Sequence, residues 1–548
     1  MRIAFVVHGF PPQEAAGVEL VASEQAQALA ARGHSVHVFA RRYGPDADTA
    51  EELQGDVRVV RTGAAPGAFP DLASTWDNHA FDDAFERFLD EARPDVVHLQ
   101  HTVMLSPNLV SLAGERGLPT VLTLHDAWHL CHRLYLLDRD GERCAGPDEG
   151  ARCDACLADL GGGSLGRSRF DFMARAIDRV DRVLAPSRAL AARHEDAWPF
   201  LAGRIEVADP GLARPPSRRE GRTLGAGRAG DPLRLVFVGT WLPHKGLDLL
   251  VRAVARLDPV RFRLAIHGAG VAGREAWVET LRADSRDLPV EWRGVFPPER
   301  LEGILGEADV LVLPSRCDES WSRAVREARS AGLAVVAPAT GGPGEALVDG
   351  RDALLVEPGS EESLHRALSR LLDDPALVRR LADAPARWTT IDEAAARLEE
   401  EYLSAIESRS AKRARPPRGT VQPPRGGAST GPRPTVSVVY PTKNAGALLD
   451  ASLAAVRRQA GDFELLEIVA VDSGSSDGTV EMLERHGARV LRIAPREFGH
   501  GRTRNLAARE ATGDVIVFLT QDATPADESW LAPLVEALTS DPLLAGVW

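Results

Sequence analysis

Residues 313–350 read LPSRCDESWSRAVREARSAGLAVVAPATGGPGEALVDG, and their pattern decides the fold class. An apolar, strand-like run (ADVLVLPS) leads into a segment carrying Glu319 and Glu327, then a small-residue turn opens a second apolar run, LAVVAPA. If both glutamates were helical, a separation of eight residues would set them about 12 Å apart along the axis. They could not hold one atom together, but they suit two ends of an elongated ligand whose anionic diphosphate lies near a helix N-terminus. Glu-rich amphipathic helices are common, so the spacing alone is weak. Its setting strengthens it, because Gly341 and Gly342 follow the second run and glycines permit close backbone approach to phosphate.

Working outward, the same strand and helix alternation runs through LRLVFVG, FRLAIHG and VEWRGV, a parallel α/β series. Its first turn, FVGTWLPHKG (237–246), places Gly239 and Lys245 at a strand tip. An earlier series begins at the N-terminus with the strand RIAFVV, a loop HGFPPQEAAGVE containing Gly17, a helix and the strand HSVHVFA, which form a βαβ unit. It continues with DVVHLQH, TVLTLHD and RVLAPS. In open parallel sheets ligands sit outside the carboxyl ends of the strands, so these polar tips face a cleft. His125 occupies one such tip. His98 and His101 flank another, and for them a structural role is the simpler reading. The helix at 389–408 is expected to close the second series.

The length of 548 residues suits several domains, and 44% hydrophobic with 26% charged residues is the composition of folded globular protein. A formal charge of -14 disfavours a broad nucleic-acid footprint. The opening MRIAFVVHGF is too short for a signal peptide, and no stretch approaches the ~20 apolar residues of a membrane span, so a cytoplasmic location is expected. Residues 408–435 carry seven basic residues and no acid among Pro and Gly, which reads as a flexible linker whose charge also allows peripheral contact with an anionic membrane face. The expected domains are 1–210, 211–408, the linker 409–434, and a third α/β unit at 435–548.

Cys131, Cys144, Cys153 and Cys156 fall close together, the last two as C-x-x-C. Four thiolates in a Gly/Asp-rich loop could hold a structural zinc; free thiols or a redox pair are the alternatives. Cys317 lies apart and is expected to pack beside Glu319.

The Glu319 to Glu327 segment, its following strand and the 237–246 turn resemble glycosyltransferase family 4, retaining enzymes of GT-B fold with twin Rossmann-like domains. The resemblance covers about residues 1–408. It implies that Glu319 contacts donor-sugar hydroxyls, that Glu327 contacts the nucleotide ribose and that Lys245 neutralises the diphosphate. Gly239, Gly341, Gly342 and Gly17 would line the donor site, and His125 would sit near the reacting sugar. Thr240 stands where such turns often carry Arg, which removes one phosphate contact. Retaining transfer passes through a positively charged sugar and a departing nucleoside diphosphate; Lys245 and helix dipoles answer the latter without a metal.

PTKN (441–444) followed by VDSGSSDGT (471–479) resembles glycosyltransferase family 2, inverting enzymes of GT-A fold. Asp472 and Asp477 would then lie near the donor nucleotide. Thr520-Gln521-Asp522 stands at the family's D-x-D position, leaving Asp522 to share Mg²⁺ or Mn²⁺ with phosphates. FGHGRTRNLA (498–507) is similar to the rhamnosyltransferase-type branch. The catalytic base of such a module would lie beyond Trp548, so 435–548 is expected to be a partial, inactive GT-A module. The combined expectation is sugar transfer from a nucleoside-diphosphate donor to a surface glycan or lipid-linked acceptor. The rivals are a GT-B epimerase acting on the nucleotide sugar and a non-catalytic donor-binding scaffold.

Overall fold

The computed structural model describes residues 1–43, 48–65, 67–213, 231–386, 388–414, 433–495 and 500–540. Of the expected linker 409–434, residues 415–432 lie outside them, while 409–414 belong to helix Ile391–Ala414. The chain divides into two compact units, Met1–Ala414 and Arg415–Trp548.

The first unit contains two sheets. The first has eight strands: β1 (Arg2–Val7), β2 (Ser35–Arg41), β3 (Thr49–Gln54), β4 (Val57–Thr62), β5 (Val96–Leu99), β6 (Thr120–Thr123), β7 (Arg182–Ala185) and β8 (Ile205–Val207), in the order β3-β4-β2-β1-β5-β6-β7-β8. All pairs are parallel except β3 with β4. The unbroken apolar run of β1 is explained by burial on both faces: Ile3, Phe5 and Val7 pack in one cluster, Ala4 and Val6 in another. The antiparallel edge strand β3 is exposed and charged instead, with Glu51 and Glu52 paired to Arg58 and Arg61, which blunts the edge.

The second sheet has β9 (Leu233–Val238), β10 (Phe262–His267), β11 (Val290–Gly294), β12 (Val310–Val312), β13 (Ala334–Pro338) and β14 (Leu354–Val356), all parallel, in the order β11-β10-β9-β12-β13-β14. Strand order reverses at β1/β5 in the first sheet and at β9/β12 in the second. Each reversal opens a crevice at the carboxyl ends of the strands, where ligands of such sheets bind.

Helix Ile391–Ala414 departs from the sequence expectation. Instead of closing the second half, it returns to the first: Ala395, Leu398, Tyr402 and Ala405 pack with Ile3, Phe5, Val7 and Val96. Their spacing of three to four residues makes one apolar stripe, and it covers the face of β5, β6 and β7 beside helix Gly17–Ala31. Bidentate Arg32–Glu399 bonds of 2.7 Å fasten the same helix from outside.

The second unit is a four-stranded parallel sheet of β15 (Thr435–Thr442), β16 (Glu464–Asp472), β17 (Arg489–Arg492) and β18 (Val515–Phe518), in the order β17-β16-β15-β18. Helices Gly446–Arg457 and Thr479–Arg485 pack on it through Leu449, Leu453 and Leu483. Among the described residues no helix is long and apolar enough to cross a membrane.

Candidate active site

The β9/β12 crevice is built by close backbone packing. Gly246 adopts φ 71°, and a Cβ there would overlap the Pro314 carbonyl, so only glycine lets the turn after β9 press against the loop after β12. That contact sets Lys245 Nζ 2.7 Å from Glu319 Oε1. Ser315 Oγ donates to the same oxygen at 2.5 Å. Burial opposes both charges, yet Glu319 raises the Lys245 ammonium and Lys245 holds the Glu319 carboxyl below its ordinary value.

Glu319 is not helical: the helix spans Arg323–Ser330, and only Glu327 lies on it. Gly341 and Gly342 admit the backbone of the Glu319 loop. A Cβ on Gly342 would lie 2.5 Å from the Ser320 carbonyl, and one on Gly341 would overlap the Glu319 carbonyl. The Gly342 N–H donates to Glu319 O at 2.7 Å, so this glycine pair locks the Glu319 loop in place.

Glu327 is buried, and Arg323 Nε donates to its Oε1 at 2.6 Å. The rest of the Arg323 fork reaches Glu24 on helix Gly17–Ala31, with both bonds 2.8 Å. Desolvation raises the Glu327 carboxyl despite Arg323. Gly17 begins the helix that carries Glu19 and Glu24, and nothing crowds its Cβ position. Gly239 lies at the end of β9, where its N–H is donated to His267 O.

Across the cleft, the β1/β5 reversal gathers a polar cluster. His8 Nε2 lies 3.0 Å from Glu19 Oε1, its ring 4.6 Å from that of His101. His101 Nδ1 accepts from the Val103 N–H, so Nε2 carries its proton to Asp126 at 3.2 Å. Desolvation is the largest influence on Asp126, but His101 outweighs it and holds the carboxyl at about 2. His125 Nε2 meets Gln100 Oε1 at 2.6 Å; burial first, then His101, lowers its pKa to about 3, so the ring is neutral. His98 has the structural role read from sequence, held between Tyr402 and Thr123. His101, read the same way, instead belongs to the cleft cluster.

The cleft is lined by Asp126, Tyr135 and Arg193 from the first half and by Asp318, Glu319 and Gly341 from the second. Tyr135 stacks on His244 at 3.8 Å, and Arg193 reaches Asp318 at 3.3 Å. Glu345 accepts from the N–H groups of Arg188 and Ala189 at 3.1 and 2.9 Å, fastening the second half to the first turn of helix Arg188–Ala197. Sequence reasoning missed Arg323, Glu24, Asp126, His8 and Gln100. Only Arg323, four residues before Glu327 on a helix, had a local signal.

All five cysteines are free, and among the described residues no group of three or more His, Cys, Asp or Glu side chains is arranged to hold a metal. Burial raises the Cys131 thiol and pushes Cys153 up to about 12, while the buried Arg169 guanidinium acts electrostatically on both. Cys317 is buried next to Glu319, as expected.

In the second unit, Asp472 is buried at the tip of β16 and accepts from the N–H groups of Gly474 and Ser475 at 3.0 and 2.9 Å. Asp477 accepts from Thr479 N–H at 3.1 Å and Gly446 N–H at 3.3 Å. These carboxylates shape the loops at the carboxyl edge of the sheet. Gln521 makes a two-way amide pair with the Lys443 backbone, and Asp522 beside it is exposed.

Residues 15–213 match the Glycosyltransferase Family 4 model, 232–374 that of glycosyl transferases group 1, and 437–547 that of glycosyl transferase family 2. D-inositol 3-phosphate glycosyltransferase of Corynebacterium diphtheriae is 28% identical over 409 residues, covering 68% of this chain and 87% of the relative. The protein of that name from Corynebacterium glutamicum is 34% identical over 229 residues, 39% of this chain and 54% of the relative. Among solved structures, sucrose-phosphate synthase from Thermosynechococcus elongatus superposes with a TM-score of 0.54 at 19% identity, covering 75% of this chain and 98% of that one. HepE of Anabaena in complex with UDP gives 0.51 at 15% identity, covering 75% and 98%.

The first unit thus has the GT-B fold, and the four-stranded sheet of the second unit is consistent with part of a GT-A-like domain. The chain belongs to the glycosyltransferases, joining a family 4 and group 1 unit to a family 2 segment.

Proposed function

We propose that residues 1–414 transfer a sugar, with retention, from a nucleoside-diphosphate donor to a glycan or lipid-linked glycan acceptor. The Lys245–Glu319 pair carries this reading: a cation and a hydroxyl-binding carboxylate, 2.7 Å apart, at the strand-order reversal of the second sheet. Lys245 faces the diphosphate as bonding to the sugar breaks, stabilising the leaving charge in a partly dry cleft. Glu319 accepts hydroxyls of the donor sugar, Glu327 holds the ribose, and His125 contacts the reacting sugar from the opposite wall. The UDP complex of HepE supports a nucleotide ligand at a fold of this kind.

The family 2 segment supplies a second donor site in which Asp472 and Asp477 shape the nucleotide loops and Asp522 shares a divalent cation with phosphate. Five free cysteines suit a reducing, cytoplasmic setting, and the seven basic residues of 408–435 suit contact with an anionic membrane face carrying the acceptor.

The test is thermal denaturation of the full chain with UDP, GDP and dTDP sugars, in EDTA and in Mn²⁺. A donor at 100 times its Kd adds about 2.7 kcal/mol. One nucleotide should stabilise the wild type in EDTA and lose that effect in Lys245→Ala. Stabilisation that strictly requires Mn²⁺ and ignores the Lys245 change overturns the reading for the first unit.

A further inference from the structure

Pro210 anchors a hydrogen-bond chain that ends at His125. A carbonyl oxygen only accepts, so the Gln25 amide must turn its nitrogen toward Pro210 O, 3.1 Å away. Gln25 Oε1 then faces Gln100 and accepts from its Nε2 at 3.0 Å. This leaves Gln100 Oε1 toward His125 Nε2 at 2.6 Å. Both glutamines are buried, at 5% and 0% exposure. Turning either amide over would set like atoms against each other where water cannot compensate. Gln100 is fixed further by its Nε2 contact to His98 Nδ1 at 3.4 Å, His98 itself being bound to Tyr402 and Thr123.

We propose that Gln25 and Gln100 are positioning residues that hold His125 in its Nε2–H tautomer, leaving Nδ1 as an acceptor for a ligand hydroxyl. Burial keeps the ring neutral, with a pKa of about 3, so a second proton does not cancel the arrangement. Such a histidine recognises a sugar hydroxyl, which donates, and rejects an ionised phosphate or carboxylate oxygen, which cannot. The anchor lies on the segment leaving β8 toward the second half, where Leu212 exchanges backbone bonds with Thr389 and Ile391 as the chain returns. The tautomer is therefore set from the crossing point between the two halves. That the hydroxyl belongs to the donor sugar rests on the transferase reading above; the tautomer does not.

The experiment is a long-range ¹H–¹⁵N spectrum of the full chain with ¹⁵N-labelled histidine, His125 being assigned by its loss in His125→Gln. His125 should show a protonated Nε2 and an unprotonated Nδ1 with no ligand added. In Gln25→Met the two nitrogen shifts should move toward each other as both tautomers populate, and kcat/KM should fall about tenfold, equivalent to one lost hydrogen bond of about 1.4 kcal/mol. A proton on Nδ1 in the wild type, or shifts unchanged in Gln25→Met, overturns the proposal. The wild-type spectrum decides even if Gln25→Met does not fold. A correct tautomer in a chain that transfers no sugar overturns the transferase reading alone.

Discussion

The Lys245 ammonium meets the Glu319 carboxylate at 2.7 Å across 74 residues of sequence. Each charge, partly buried, would be costly alone, and together they keep the cleft neutral at that point. On the proposed reading a diphosphate entering the cleft competes with Glu319 for Lys245, and the two residues should have opposite effects on binding of a bare nucleotide.

Glu319→Gln should therefore bind UDP about threefold to tenfold more tightly than the wild type, and Lys245→Met about tenfold or more weakly, a charge-assisted bond being worth about 1.5–3 kcal/mol. Turnover should fall in both. Calorimetric titration separates the two directions; parallel weakening would contradict competition for the lysine.

Arg323 stands between Glu24 and Glu327, all three mostly buried. Arg323→Met leaves two carboxylates facing a lost cation and should cost roughly 2–4 kcal/mol in urea denaturation. Glu24→Gln added to it should restore part of the loss. A double variant no more stable than the single one would show that the carboxylate repulsion is not the cause.

Gly342 has the Ser320 carbonyl 2.5 Å from the place a Cβ would occupy, and backbone cannot yield as a side-chain tip does. Gly342→Ala should lower stability by about 1–3 kcal/mol and also weaken donor binding by displacing the Glu319 loop. Thermal melts with and without UDP read both effects, and an unshifted melt would locate the contact elsewhere.

Glu399 is held at about 2, chiefly by its bond to Arg32, against an ordinary value of 4.5. A depressed carboxyl contributes stability that is complete above its unfolded pKa and vanishes as pH falls through the folded one. The pair is partly exposed, so about 1 kcal/mol or less is at stake. The stability gap between wild type and Glu399→Gln, measured below pH 5, should shrink between about 4.5 and 2. A gap that persists at pH 2 would assign the effect to packing of the helix.

The sequence by itself determined the local elements: continuous apolar runs as buried parallel strands, polar tips at their ends, and the breaks that divide the α/β series. It also placed Glu319, Lys245 and His125 at strand ends, because a strand tip is a local property. What it could not fix was which side chains meet. The Pro210–Gln25–Gln100–His125 chain spans 185 residues in its first bond alone. Helix Ile391–Ala414 has an apolar stripe legible in sequence, but the sheet it covers depends on which face the strand order leaves open. The conformational freedom of Gly341 and Gly342 is visible locally, whereas the backbone they admit, at Glu319 and Ser320, comes from another loop. The four cysteines likewise share a short segment, yet the cation beside Cys131 and Cys153 is Arg169, brought there by helix Gly166–Asp178. Hydrophobic periodicity is written residue by residue; partnership between distant polar groups is settled only when burial removes water and each must find its complement.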